Sequence, residues 1–139
     1  MSKPSQRSLP HRRTRNDHAS ETAEDYVEAV AEIIEKKEVC RVADLARHFD
    51  VSHVTVSRIV SRLTAEELLI SAPYQPVQLT AKGRKLAALA KRRHQIVYEF
   101  LLALGVDKKT AQIDSEGIEH HVSKTTLSAM KKFSNKPEA

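Results

Sequence analysis

The chain has 139 residues, a formal net charge of +5 and no tryptophan, with 40% hydrophobic and 29% charged residues. This length allows one compact domain or two small ones that share a core, and aromatic residues, at 4%, exclude an aromatic-rich core. The single cysteine, Cys40, excludes an internal disulfide, and no apolar run approaches the roughly 18 residues of a transmembrane helix. The polar N-terminus is unlike a signal peptide. We therefore expect a soluble cytoplasmic protein with no membrane partner.

The N-terminal residues 1–19 are predicted to form a disordered basic arm, because they combine two prolines and five Lys or Arg residues with few apolar ones. The arm is interpreted either as an electrostatic contact to DNA or as a solubilising tail. The first helix is predicted to begin at Ser20, and apolar residues recur at helical spacing from Tyr26 to Ile34. Six acidic residues precede its first base, Lys36. A DNA-binding domain has no need of this acidic helix, so its carboxylates indicate another role.

The next segment has the order of a winged helix-turn-helix. The predicted elements are helices at 41–49 and 52–67 and extended segments at 68–71 and 77–79. Asp50-Val51 makes the tight turn between the helices, and Pro73 and Pro76 exclude a helix between the extended segments. In such a unit the second helix of the pair lies in the major groove and the hairpin, or wing, flanks it. We therefore predict a DNA-binding domain over residues 20–79, with a structural or protein–protein module as the alternative.

The second helix of this pair carries hydroxyl and basic side chains on its outward side. Hydroxyls and arginines can donate hydrogen bonds to phosphates. Arg58 could instead pair with a guanine edge, and Val54 could contact a thymine methyl group. The predicted DNA-binding residues are Ser52, His53, Val54, Thr55, Ser57, Arg58 and Arg62.

The remaining residues, 80–139, are predicted to be entirely helical. Thr80 caps a helix over 81–104, Gly105 ends it, and further helices follow at 107–120 and 123–133. The predicted fold class is mainly α, with an N-terminal winged helix-turn-helix followed by an all-helical domain.

Two stripes of potential metal ligands lie on the predicted helices of the chain. Glu116, Glu119 and His120 are related by i, i+3 and i+4, so they share one helix face, and His121 points off that face. Asp25 and Glu28 form a second stripe on the first helix, because they are three residues apart.

Together with His94 in the long helix, the two stripes supply four carboxylates and two imidazoles. This donor set suits a hard or borderline divalent ion, and it lacks the thiolates of a structural zinc site. Taken separately, each stripe is also compatible with a solvated polar face, and His94 with a surface or packing histidine.

Five segments of the chain, within residues 21–133, resemble the manganese-responsive branch of the diphtheria toxin repressor family. They are Glu24-Asp25-Tyr26-Val27-Glu28, Val51-Ser52-His53-Val54-Thr55-Val56-Ser57, Leu79-Thr80-Ala81-Lys82-Gly83, Arg93-His94-Gln95-Ile96-Val97 and Glu116-Gly117-Ile118-Glu119-His120-His121. The resemblance implies a homodimer whose residues 80–139 form a dimerisation and metal-binding domain. It also implies a two-ion site between the two domains. One ion would be held by Asp25, Glu28, His94 and Glu119, and the other by Glu28, Glu116, Glu119 and His120.

The resemblance also bears on the choice of metal and on the wing. Iron-responsive relatives carry a methionine and a cysteine where this chain has Asp25 and Glu116, and the harder oxygen ligands favour Mn²⁺, with Fe²⁺ or another divalent ion as the alternative. The family's wing tip often reads aromatic-Arg-Gly, whereas this chain has Tyr74-Gln75-Pro76 and lacks the arginine.

The function expected from these features is that of an Mn²⁺-responsive transcriptional regulator. It would bind a double-stranded DNA operator as a homodimer with two Mn²⁺ per subunit, and would repress manganese uptake genes. We expect neither enzymatic activity nor a small-molecule substrate. One alternative is a metal-independent winged-helix regulator whose acidic residues are merely solvated. Another is a dinuclear metalloenzyme, since bridged carboxylate and histidine sites also activate water, although di-iron bundles repeat their Glu/His motif on two helices and this chain does not.

Overall fold

The computed structural model describes the backbone of residues 9–135 and the side chains of residues 19–135. The elements in this part of the chain are α1 (Leu9–Lys37), α2 (Val42–Phe49), α3 (His53–Ala65), β1 (Leu69–Ile70), β2 (Gln78–Leu79), α4 (Ala81–Ala103), α5 (Lys108–Ile118), a 3₁₀ turn (Glu119–His121) and α6 (Lys124–Ser134). They form two compact units. The first is Thr22–Ala90, and the second combines the residues from Lys91 onward with the start of α1 as far as Glu21. The predicted mainly α architecture is confirmed.

The first helix begins earlier than the sequence patterns predict. It begins at Leu9, so the predicted start at Ser20 is wrong and residues 9–19 of the predicted arm are helical. Residues 1–8 of that arm lie outside the described residues. Pro10 does not break the helix, because it lies in the first turn, where a backbone N–H has no partner within the helix.

A single apolar core holds together the unit Thr22–Ala90. Its most deeply buried large side chains, at most 2% exposed, include Val27, Val30, Leu45, Val56, Leu63 and Leu69. They come from α1, α2, α3 and β1, and full burial of each such side chain stabilises the fold by about 1.5–3 kcal/mol. Tyr26 of α1 adds a stacked contact with Phe49 of α2, with ring centroids 4.4 Å apart.

The turn between α2 and α3 fixes the direction in which α3 leaves the core. Asp50 adopts a left-handed conformation with φ 53°, and its N–H closes the end of α2. The Ser52 hydroxyl oxygen then accepts a hydrogen bond from the Thr55 N–H at 3.1 Å, which caps α3. The helix-turn-helix is therefore ordered by local backbone chemistry as well as by the core beneath it.

The wing is a short antiparallel hairpin. Leu69 pairs with Leu79 and Ile70 with Gln78, and Val77 pairs with Cys40 ahead of α2. The paired segments are shorter than the predicted 68–71 and 77–79. At the tip, Tyr74 is 98% exposed and has φ +62°.

Leu68, Thr80 and Gly83 join the base of the wing to α4. The Thr80 N–H donates to the Leu68 carbonyl at 3.2 Å, and the Thr80 hydroxyl lies 3.1 Å from the same carbonyl oxygen. The hydroxyl oxygen also accepts from the Gly83 N–H at 2.9 Å, which confirms the predicted cap of α4. A Cβ atom on Gly83 would lie 2.1 Å from the Leu68 carbonyl oxygen, so this close approach requires glycine.

The second unit is built from the rest of α4, α5, the 3₁₀ turn and α6. Gly105, at φ +98°, ends α4, and Asp107 and Ser123 cap α5 and α6 by accepting hydrogen bonds from the N–H groups three residues ahead. The hydrogen bond from the Thr110 N–H holds the pKa of the Asp107 carboxyl below its usual value. In the described part of the chain, no helix combines the length and apolar character needed to cross a bilayer.

Candidate metal centre and nucleic-acid interface

The outward side of α3 carries the predicted DNA-binding residues. All of them are exposed except Thr55, which is half-buried and whose hydroxyl lies 3.0 Å from that of Ser52. Thr55 therefore belongs to the helix cap as well as to the outer surface. Val54 is 68% exposed although it is apolar, and the core does not use it. Such a side chain is available for a base methyl group.

A groove of about 550 Å³ runs between α3 and the wing. Its polar lining includes Arg41, His53, Ser57, Ser61, Tyr74 and Gln75. Arg41 was missed by the sequence reasoning, because it lies ahead of α2, outside the helix expected to read DNA. The available signal was a basic residue at the start of the predicted helix 41–49. Guanidinium, hydroxyl and amide groups along one groove suit a phosphodiester backbone.

The metal-ligand stripe of the second unit is centred on Glu119. Its Oε1 lies 3.6 Å from Nδ1 of His94 and 3.6 Å from Nε2 of His120. The side chains of Glu119 and His120 are 3% and 1% exposed, and that of His94 is 15% exposed. The 3₁₀ turn after α5 presents Glu119 and His120, and α4 presents His94. The structure thus brings together three of the four predicted ligands in this unit.

The fourth predicted ligand in this unit, Glu116, is placed differently. It is exposed on the last turn of α5 and lies outside the contacts around Glu119. His121, which was predicted to point off the ligand face, is 46% exposed, and its Nε2 lies 3.4 Å from Oε2 of Glu21.

The second predicted stripe lies on α1, in the unit Thr22–Ala90. Asp25 and Glu28 are both half-buried and lie about one helical turn apart. The neighbouring Val27 and Val30 are fully buried in the core. The core residues fix the rotation of α1, so both carboxylates belong to the same side of the helix.

The donor chemistry around Glu119 fits a divalent cation. A buried carboxylate is costly unless a cation or hydrogen-bond donors compensate it. Carboxylate oxygens and neutral imidazoles are ligands for Mn²⁺, Fe²⁺ and similar ions. The thiol of Cys40 does not compete as a ligand, because burial, and secondarily the Asp44 carboxylate, raises its pKa to about 11.

His94 has a further contact that sequence reasoning missed. The amide nitrogen of Gln112, on α5, lies 3.1 Å from Nε2 of His94, the ring nitrogen that does not face Glu119. Spacing along the chain gives no signal for this contact, because it joins two different helices.

Comparison with known proteins supports both parts of this description. A family model described as the iron dependent repressor N-terminal DNA binding domain matches residues 18–77, and one described as the iron dependent repressor metal binding and dimerisation domain matches residues 80–139. The chain is 42% identical over 125 residues to the transcriptional regulator MntR of Escherichia coli O6:H1, covering 90% of this chain and 81% of that protein. It is 39% identical over 100 residues to the HTH-type transcriptional regulator MntR of Bacillus subtilis strain 168, covering 72% and 70%.

Solved structures show the same likeness. The manganese regulator SloR matches with a TM-score of 0.71 and 30% identity, over 83% of this chain and 54% of that one. A manganese-dependent transcriptional repressor in complex with manganese matches with a TM-score of 0.74 and 26% identity, over 83% and 53%. The chain therefore spans about half the length of these two structures. Because the two family models together match most of it, the chain belongs to the iron-dependent repressor family, whose members are metal-responsive transcriptional regulators and not enzymes.

Proposed function

We propose that this protein is an Mn²⁺-responsive repressor that binds operator DNA as a homodimer and represses manganese uptake genes when metal is bound. The contact of the buried Glu119 carboxylate with His94 and His120 is the observation that carries this proposal. The proposed ligands are Asp25, Glu28, His94, Glu116, Glu119 and His120. The proposed DNA-binding residues are Ser52, His53, Val54, Thr55, Ser57, Arg58 and Arg62.

The proposed metal preference follows from ligand hardness. Four of the six proposed ligands are carboxylates, and Asp25 and Glu116 supply oxygen where iron-responsive relatives carry sulfur. Oxygen-rich sets with some imidazole suit Mn²⁺. The MntR proteins and the manganese-dependent repressor named above support the same choice. We propose two ions per subunit, because four carboxylates are enough to hold two divalent cations; Glu28 and Glu119 would contribute to holding both.

The proposed mechanism depends on how the ligands are divided along the chain. Asp25 and Glu28 belong to the unit that carries α3, and the other four ligands belong to the unit with α5 and α6. Bound divalent cations supply the positive charge that neutralises these carboxylates. Without that charge, the carboxylates repel one another and the two units of each subunit are less restrained. Restraint of the units then favours the arrangement in which the two α3 helices of a dimer are about 34 Å apart, or a multiple of that spacing.

DNA binding across a series of divalent metals tests this function. Fluorescence anisotropy of a labelled DNA fragment from upstream of the protein's own gene would be measured without metal and with Mn²⁺, Fe²⁺, Zn²⁺ or Mg²⁺. We expect Mn²⁺ to tighten binding by about 5–150-fold, the usual range of coupling between two sites. Equal binding with and without every metal would identify a metal-independent regulator and contradict the proposal.

The ligand assignment has its own test on α1. Asp25→Met replaces a hard oxygen ligand with a soft thioether, so the response to Mn²⁺ should weaken relative to that to Fe²⁺. Glu35→Met is the matched control, because Glu35 is exposed on the same helix and is not a proposed ligand. An unchanged metal response of Asp25→Met, or an equal change in Glu35→Met, would contradict the assignment.

A further inference from the structure

The imidazole of His94 is contacted through both of its ring nitrogens. Nδ1 lies 3.6 Å from Oε1 of Glu119, and Nε2 lies 3.1 Å from the amide nitrogen of Gln112. The ring of Tyr98, one turn further along α4, is nearly parallel to that of His94, with an interplanar angle of 6° and centroids 6.4 Å apart. A histidine that binds a metal through one ring nitrogen commonly uses the other in a hydrogen bond, which fixes the tautomer and the ring orientation.

We propose that Gln112 is a positioning residue for the metal centre, which orients the His94 ring so that Nδ1 faces Glu119. This inference rests on the proposed role of His94 as a ligand. Gln112 contacts the ring nitrogen of His94 that does not face Glu119, so it acts through the histidine.

The side-chain amide suits both states of the histidine. With the proton on Nδ1, Nε2 is an acceptor, and the amide N–H of Gln112 donates to it. When Nδ1 serves as a ligand it carries no proton, so Nε2 carries one and donates to the amide oxygen of Gln112 after the amide turns over. An amide has a donor end and an acceptor end, so glutamine supports the same ring orientation in each case.

The position of Gln112 on α5 fixes its side chain on the side of the helix that faces His94. Gln112 and Glu119 are seven residues apart, which places both on one side of α5 and the turn that continues it. Ser115, fully buried on the same helix, donates its hydroxyl to the Gln112 carbonyl at 3.1 Å. The Gln112 side chain itself is exposed, so water competes for its amide. We therefore expect an effect near the lower end of the 10–100-fold range typical of such supporting residues.

Substitutions at Gln112 separate orientation from bulk. Gln112→Leu keeps a similar volume and removes both hydrogen-bonding ends, whereas Gln112→Glu keeps an acceptor for the Nε2 proton. Gln95→Leu is the matched control, because Gln95 is adjacent to His94 on α4 and donates a 2.9 Å hydrogen bond to Glu99. Circular dichroism melts would establish that each variant is folded.

The experiment measures Mn²⁺ affinity from the electron paramagnetic resonance signal of free Mn²⁺, and the tautomer of His94 from its ring ¹⁵N shifts in the metal-free protein. We expect Gln112→Leu to weaken Mn²⁺ binding about 10-fold and to change the tautomer populations of His94. Gln112→Glu should retain the affinity, and Gln95→Leu should match the unsubstituted protein in both measurements. Wild-type affinity and ¹⁵N shifts in Gln112→Leu would overturn the inference, as would equal losses in Gln112→Leu and Gln95→Leu.

The variant His94→Ala separates this inference from the proposed function. If His94→Ala loses Mn²⁺ affinity and Gln112→Leu does not, the positioning role is overturned and the ligand assignment stands. If His94→Ala binds Mn²⁺ as the unsubstituted protein does, the assignment of His94 is overturned together with the inference.

Discussion

Replacing Gly83 with alanine is expected to destabilise the unit Thr22–Ala90 by about 3 kcal/mol. The added Cβ atom would lie 2.1 Å from the Leu68 carbonyl oxygen, although Cβ atoms in proteins essentially never approach another heavy atom within 3.0 Å. The clashing atom belongs to the backbone, so it cannot move aside as a flexible side chain would. Overpacking of this kind costs about 1–3 kcal/mol. Displacing Leu68 also weakens the hydrogen bond that its carbonyl accepts from the Thr80 N–H, at about 0.5–1.5 kcal/mol. The better helix propensity of alanine offsets about 1 kcal/mol of this cost.

Thermal unfolding followed by circular dichroism measures this effect. For a unit of this size, each kcal/mol lowers Tm by about 4–8 °C, so a fall of roughly 12–24 °C is expected. Gly117→Ala is the matched control, because a Cβ there, on the last turn of α5, meets no atom within 4 Å. That variant should lose no stability and gain at most about 0.5–1 kcal/mol, the value for a helix interior. Equal stabilities of Gly83→Ala and Gly117→Ala would refute the close packing of Gly83 against Leu68 at the base of the wing.

Three further predictions concern α2, α3 and the core. Arg58→Ala should weaken operator binding by about 1–3 kcal/mol if this residue reads a base. Arg47→Ala should weaken it less, because the Arg47 guanidinium forms a 2.6 Å ion pair with Asp44. Equal gel shifts for the two variants would contradict the role of Arg58. The pKa of the Asp44 carboxyl is lowered, chiefly by the hydrogen bond that it accepts from the Arg41 N–H. The ionised carboxylate therefore stabilises the fold above the unfolded pKa of about 3.9, and this stabilisation is lost as pH falls through the lower folded pKa. Asp44→Asn should therefore cost about 1 kcal/mol at neutral pH and remove this part of the acid dependence seen in urea titrations. Cys40 should react with a disulfide reagent at pH 8 only as the protein unfolds, because its pKa is raised to about 11 and its side chain is fully buried; fast labelling of the native protein would contradict this.

Much of the fold could be predicted because its signals are local. Ser52, Thr80 and Ser123 each cap a helix in the structure, and each is visible in the sequence as a hydroxyl ahead of a helical pattern. Gly105 at φ +98° likewise ends α4 where the pattern stops. The start of α1 was not predicted, because polar composition and Pro10 outweighed a helical tendency that lacks apolar periodicity.

The candidate site was predictable only in part. Helical spacing grouped Glu119 with His120, and the structure places the two side chains in contact. The same spacing cannot predict the contact of His94 with Glu119, since this contact joins α4 to the turn after α5. The contact of Gln112 with His94 could not be predicted for the same reason. Tertiary packing sets these contacts, whereas a periodicity within one helix reports only on that helix. The complete set of six ligands therefore remains a prediction.

Isothermal titration of Mn²⁺ into the protein, with and without operator DNA, tests the coupling of metal and DNA most directly. Coupling between two binding sites is reciprocal, so if Mn²⁺ tightens DNA binding, the operator must tighten Mn²⁺ binding by the same factor. The proposed coupling predicts a higher Mn²⁺ affinity in the presence of operator, by the factor that the anisotropy measurement gives for DNA. Equal Mn²⁺ affinities with and without operator would contradict it.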